Sequence, residues 1–270
     1  FEAGWNSALR LWSVVDHRGL RVHTTRETSY RLLGLALCGC ERLPEFGQAL
    51  RALRALQCHE GHRRGMIKWD YEDEGLLDGN AAFFNALGLV ALELHAGKRL
   101  EPADRSVLRW LLADFQQVFA RELRRPHWRY PNKCLGALVC AWLIAEALGE
   151  DPTPLVPLLA EGGRYFREFA WGWGEHLSDM YVKVILDELA MLLCLARRLP
   201  TELVDAYEGL ARDLYRLESL YWGGPRVPAI RSYAFTASPQ PDGRLMEWAR
   251  PHSSLVVPFT GFSSDRSSIQ

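Results

Sequence analysis

The chain has 270 residues, 48% hydrophobic and 24% charged. That balance excludes a disordered or fibrous protein and allows one large domain or two small ones. A formal net charge of −1 excludes a global basic field for nucleic acid. The six cysteines form no CxxC pair and mostly fall inside apolar runs, so they read as buried reduced thiols, which favours a cytoplasmic setting.

The first element expected is a helix over about 5–16. After it, helices of two characters alternate. One group, over about 27–40, 80–96, 132–148 and 179–198, is apolar almost all round, as in LLGLALCGC and LGALVCAWLIAEAL, and such helices must be buried on several sides. The other group, over about 44–58, 102–123, 152–169 and 201–219, carries charge on one face and suits an outer layer. Asn80, Asn132 and Asp179 each open an apolar helix, which implies a repeat of about fifty residues. Glycines near helix ends (Gly97, Gly149) and prolines at the next starts mark the breaks. The longest apolar stretches, 87–94 and 135–148, are interrupted by polar residues, so no membrane span is expected.

The fold class expected is therefore all-α, a series of helical hairpins over 1–220. The segment 221–260 has Gly, Pro and β-branched residues without a helical period and reads as an irregular cap. The last ten residues, 261–270, read as a flexible tail.

Hairpins stacked side by side place equivalent ends on one side. The loops before the apolar helices, HRGLRVHTTRETSYR, GMIKWDYEDEGLLDGNAAFF, RRPHWRYPNKCLGAL and FAWGWGEHLSDMYVKV, are rich in aromatic, basic and acidic side chains. These loops would then share one rim.

Four stretches carry candidate chemistry. In the first, Trp69-Asp70-Tyr71-Glu72-Asp73-Glu74 is followed by Asp78 and Asn80; crowded carboxylates raise some pKa values and offer a general acid, or oxygen ligands for a hard cation. The plain alternative is a solvated acidic loop whose Asp78 or Asn80 caps a helix. In the second, His127, Trp128, Arg129, Tyr130 and Asn132 combine positive charge, two aromatic faces and an imidazole at a helix start, which suits an anionic ring; the alternative is a surface loop anchored by Trp128. In the third, Trp171, Trp173, Glu175, His176, Asp179 and Tyr181 place a possible proton-transfer pair beside two indoles; the alternative is a packing loop. In the fourth, Arg226, Arg231 and Tyr233 lie on a Gly/Pro-shaped segment; the alternative is a buttress in which Arg231 pairs with an acid. Of Asp187 and Glu188, adjacent in an apolar run, at most one can face the interior. No metal-ligand spacing and no nucleotide-binding glycine pattern is present.

Apolar inner helices, amphipathic outer helices and rim loops such as DGNAAFF, HWRYPNK and WGWGEHLSDMY resemble the (α/α)-toroid carbohydrate-active enzymes. These include polysaccharide lyases of the heparinase and alginate-lyase type and unsaturated glucuronyl hydrolases. The resemblance covers roughly residues 20–220 and four clear hairpins, where a full toroid has six or seven; an incomplete barrel is therefore also compatible. It implies an enzyme that cleaves an acidic, uronate-containing oligo- or polysaccharide by β-elimination, without a cofactor. Asn80 and Arg231 would neutralise the uronate carboxylate, and His176 or His127 would remove the C5 proton. Tyr181 or Tyr233 would protonate the leaving oxygen. Trp69, Asp78, Trp128, Arg129, Tyr130, Asn132, Trp171, Trp173, Glu175, Asp179 and Arg226 would line the sugar subsites. Two alternatives stand beside it: hydrolysis by two carboxylates drawn from Asp70, Glu72, Asp78, Glu175 and Asp179, and a non-catalytic helical-repeat binding protein.

Overall fold

The computed structural model describes residues 4–16, 19–128, 130–168 and 179–219; the expected cap over 221–260 and the tail lie outside the described residues. Eight α-helices occur among the described residues: α1 (Thr25–Leu37), α2 (Pro44–Leu56), α3 (Asn80–Ala96), α4 (Pro102–Glu122), α5 (Pro131–Leu148), α6 (Val156–Glu168), α7 (Asp179–Leu195) and α8 (Thr201–Ser219). They are preceded by an antiparallel sheet of three short strands, β1 (Trp5–Asn6), β2 (Leu11–Val15) and β3 (Arg21–His23), in that order. The described residues divide into two compact units. One consists of those up to Arg125 together with Cys140–Asp151; the other of Pro126–Val139 together with those from Pro152 onward. The division falls inside α5.

The sheet corrects the helix expected over 5–16. Asn6 turns the chain there: its Oδ1 accepts the N–H groups of Ala8 and Leu9 at 3.0 and 3.1 Å. Arg10, at φ 60°, returns its N–H to the Asn6 carbonyl at 2.7 Å. An Asn side chain that bonds the backbone ahead of it competes with helix and favours a turn. The returning strand, LWSVV, is rich in residues suited to a pleated surface. Trp12 lies opposite Trp5 in the register, ring centroids 4.5 Å apart, and donates its backbone N–H to Thr28 Oγ1 at 3.1 Å, which seats the sheet on α1.

Helix characters follow the expected division at α3 and α2 but not at α1: expected to be buried on several sides, α1 buries only Thr25, Thr28, Ser29, Leu32, Leu33 and Ala36. α3 buries nearly every residue from Ala81 to Glu93, whereas α2 buries one stripe, Phe46, Gly47, Ala49, Leu50 and Leu53. Within the first unit, hydrogen bonds fix the helix directions. Thr25 and Ser29 near the start of α1 meet Asn85 near the start of α3. Beyond the end of α3, Arg99 Nη2 donates to the Ala36 carbonyl late in α1 at 2.6 Å. The two helices therefore run in the same direction. α4 runs against both α3 and the later half of α5. Arg105 and Arg109, early in α4, reach the buried Glu93 carboxylate late in α3 at 2.8 and 3.0 Å. Arg109 also donates to the Ala147 and Leu148 carbonyls at 2.8 and 3.1 Å, satisfying orphan acceptors at the end of α5.

α5 spans 18 residues and is apolar enough by composition to cross a membrane, which the interrupted apolar pattern did not predict; 72% of it is buried within the protein. In α7, Glu188 is buried and Asp187 half-buried, as the angular separation of adjacent helix residues requires.

Candidate functional site

Two helix starts, of α1 and α3, meet the segment between them through a chain of buried polar groups. Ser29 Oγ donates to Asn85 Oδ1 at 2.5 Å. Asn85 Nδ2 donates to Thr25 Oγ1 at 2.9 Å and to the Ala81 carbonyl at 2.8 Å. The Thr25 hydroxyl donates to the Lys68 carbonyl at 2.7 Å, and its backbone N–H to the Trp69 carbonyl at 2.9 Å. Buried polar groups in such a network must be satisfied together or not at all. The network therefore holds the Trp69–Asp73 loop at a defined place against both helices.

The loop continues that pairing in strand-like fashion. Thr24 bridges Asp70, and Tyr71 donates its N–H to the His23 carbonyl at 2.9 Å. The His23 ring lies between two partners, Glu72 Oε1 at 2.6 Å from Nδ1 and Asn6 Nδ2 at 3.0 Å from Nε2. Because Asn6 Oδ1 is taken by two backbone donors, its amide must turn Nδ2 to the imidazole. Nε2 then accepts and Nδ1 carries the proton given to Glu72. Both ring nitrogens are engaged, so His23 acts as a buttress and has no free nitrogen for proton abstraction.

Asp70 and Glu72 sit in opposed environments. Burial pushes the Asp70 carboxyl up from the usual carboxylate range, and the neighbouring Asp73 and Glu72 push it further. Burial also works to raise Glu72, but hydrogen bonds from the His23 ring and backbone N–H outweigh it and hold that carboxyl below its ordinary value. Asp73 Oδ2 accepts the Asp70 backbone N–H at 3.0 Å, and Lys68 Nζ donates to the Asp73 carbonyl at 2.5 Å, which closes the turn. One loop thus holds two carboxyls whose pKa values are shifted in opposite directions.

An aromatic surface lies beside it. Trp69 packs against Phe84 with centroids 5.5 Å apart and donates its indole N–H to Asp78 Oδ1 at 3.1 Å. That same oxygen accepts the Asn80 backbone N–H at 2.9 Å. Asp78, rather than Asn80, therefore satisfies the start of α3. The Asn80 amide reaches only the far Asp78 oxygen, at 3.4 Å. Arg26 lies with its guanidinium 4.6 Å from the Phe84 ring centroid and 5.9 Å from that of Tyr30.

Trp69, Asp78 and Asn80 are brought together through the Asp78 carboxyl. The described candidates of the second stretch, His127, Trp128, Tyr130 and Asn132, fall in the other unit. His127 is exposed, and its carbonyl accepts the Tyr130 N–H at 3.0 Å. Trp128 donates its indole N–H to Glu161 at 2.9 Å, stacks on Tyr165 at 5.5 Å and meets Phe166 edge-on at 6.5 Å. Tyr130 is exposed, and Asn132 is the second residue of α5. Its Oδ1 is buried and accepts no hydrogen bond, so Asn132 is not a cap. Asp179 opens α7 and Tyr181 stands half-buried in its first turn. Arg129, Trp171, Trp173, Glu175, His176, Arg226, Arg231 and Tyr233 lie outside the described residues.

Sequence reasoning missed Arg26 and His23 as members of the site. Both belong to HRGLRVHTTRETSYR, whose polar and aromatic content was the only available signal; no spacing connects them to residues more than forty positions later. Among the described residues, no group of three or more His, Cys, Asp or Glu is arranged to hold a metal ion. No family model, curated protein or solved structure matches the chain.

Proposed function

We propose that the chain is a carbohydrate-active enzyme that cleaves an acidic, uronate-containing glycan at the Trp69–Asn80 loop. The observation that carries this reading is the Asp70 carboxyl, raised by burial and by Asp73 and Glu72, next to an indole whose polar edge is pinned by Asp78. A carboxyl with a raised pKa is better suited to give a proton, and a leaving glycosidic oxygen needs one. Trp69 offers a flat face to a sugar ring, and Arg26 a planar fork to a uronate carboxylate.

Hydrolysis is the better supported reaction. The loop supplies a second carboxyl group, Asp78, whose Oδ1 accepts two N–H donors. In this reading Asp70 protonates the leaving oxygen, and Asp78 activates water or attacks the anomeric carbon. The β-elimination reading rests on Arg26 and Asn80 at the same loop. These would draw charge from the uronate carboxylate and acidify the C5 proton. The common direction of α1 and α3, with α4 opposed, supports a scaffold of helical hairpins of the (α/α)-toroid kind.

The test is a screen of acidic oligo- and polysaccharides with the full chain and Asp70→Asn. New reducing ends without unsaturated-uronate absorbance identify hydrolysis, and appearance of that absorbance identifies elimination. Asp70→Asn is expected to lower turnover by about a hundredfold or more, the usual contribution of a general acid. Undiminished turnover in Asp70→Asn, or a folded protein that cleaves none of these glycans, would overturn the reading.

A further inference from the structure

We infer that a cluster of five arginines, Arg63, Arg64, Arg121, Arg124 and Arg125, is a docking surface for the anionic stretch of a glycan chain beyond the loop that cleaves it. The inference rests on the glycan reading and extends it to the rest of the polymer.

The cluster is assembled by the fold from two segments about sixty residues apart. Cys58 and Met66 pair their backbones around a 3-10 turn over Gly61–Arg63, with the Cys58 N–H donating to the Met66 carbonyl at 2.8 Å. This turn is fixed to α4 at two places. The buried Asp114 carboxylate holds Arg54 and, at 2.6 Å, Arg64; Arg121 Nη2 donates to the Arg64 carbonyl at 2.6 Å. Two turns of helix C-terminal to Asp114, α4 ends at Glu122, and Arg124 and Arg125 follow.

Arg63, Arg64, Arg124 and Arg125 are exposed. Among the described residues, no hydrogen bond or ion pair engages the side chains of Arg63, Arg124 or Arg125. Asp114 is already taken by Arg54 and Arg64, the Glu122 side chain lies against Gly79, and only Glu60 stands exposed in the turn. Like charges held together in this way cost stability unless a counter-charge arrives.

Position connects the cluster to the loop. Gly65, in the basic turn, and Gly79, which precedes α3, both lie against Val118 of α4, and Gly79 also meets Glu122. The arginines thus border the start of α3, where Asp78 and Asn80 sit. A polymer of charged sugars has carboxylates at regular intervals and would carry them onto this border. Residues 59–64 and 121–125 contain no Trp, Tyr or Phe. Single-stranded nucleic acid is held by aromatic stacking as well as charge, so the surface fits an acidic glycan better.

The test compares three probes on the full chain over a salt series: a polygalacturonate oligomer, a neutral β-glucan oligomer and single-stranded DNA. The variant is the triple replacement Arg63→Gln, Arg124→Gln and Arg125→Gln, which spares Arg64 and Arg121 because they hold the turn. Expected is polygalacturonate binding weakened by roughly tenfold with a shallower salt dependence, and no change for the neutral glucan. Asp70→Asn should retain full polygalacturonate affinity. If it also retained turnover while the triple variant lost affinity, the catalytic reading would fail and the docking surface would stand. Unchanged polygalacturonate affinity in the triple variant, no polygalacturonate binding by the unaltered chain, or tighter binding of single-stranded DNA would each overturn the inference.

Discussion

Asn85 donates to the Thr25 hydroxyl across 2.9 Å, and through it α3 grips both α1 and the loop that carries Asp70. The amide is fully buried, as are Thr25 and Ser29. Removing it leaves the Ser29 donor without its acceptor and opens a small void. Asn85→Ala should therefore cost about 3 kcal/mol of stability, read as a lowered urea midpoint. Loosening of the loop should appear as changed Trp fluorescence.

The opposed shifts of Asp70 and Glu72 make a signed pH prediction. Glu72 is depressed in the folded chain, so its stabilisation is present above the ordinary Glu value of about 4.3 and is lost as pH falls through the lower folded value. Asp70 is raised, so the folded state holds that proton longer than the unfolded state does. Stability then falls as pH rises from the ordinary Asp value of about 3.9 through the higher folded value. Asp70→Asn should be more stable than the unaltered chain at neutral pH. Glu72→Gln should be less stable there and show a flatter acid limb. Urea unfolding between about pH 3 and about pH 7 measures both.

Asp114 is 2% exposed, and two arginines hold its carboxyl below the ordinary value against the opposing effect of burial. Its contribution is present above the ordinary Asp value and lost as pH falls through the depressed one. Asp114→Ala strands Arg54 and Arg64 and should cost about 3 kcal/mol or more. Gly65 makes a second test of the same junction: it sits at φ 89°, where an added Cβ would overlap the Asp114 carbonyl. Gly65→Ala should lower the melting temperature for both reasons.

In the second unit Trp128 lies over Gly162, where an added Cβ would come within 2.5 Å of the indole and 3.0 Å of the Tyr207 hydroxyl. That hydroxyl donates to the Leu159 carbonyl at 2.8 Å, and burial raises its pKa above the ordinary tyrosine value. Gly162→Ala should cost about 1–3 kcal/mol by overpacking, measured by denaturant unfolding. Trp128→Phe should also be destabilising, because Glu161 loses its indole donor.

Much of the helical layout was legible in the residues. A run such as NAAFFNALGLVALELHA admits little but a buried helix, and the Gly97 and Pro102 signals bound it on one side. The sheet was not legible. Its turn depends on Asn6 bonding Ala8 and Leu9, and an apolar segment of that length suits a strand or a helix. At the candidate site, Trp69, Asp78 and Asn80 stood out because they share one short segment. Arg26, His23 and Asn85 did not, because their connection to that segment is spatial.

Helix positions, their inner or outer character and the acidic-aromatic loop follow from local spacing, since periodicity and capping act over a few residues. The protonation bias of Asp70 and Glu72, the engagement of both His23 nitrogens and the grouping of Arg63 and Arg64 with the arginines at the end of α4 arise only in the folded chain. Each depends on groups far apart in sequence coming within a few ångströms, and charge, burial and hydrogen bonding act through that distance alone.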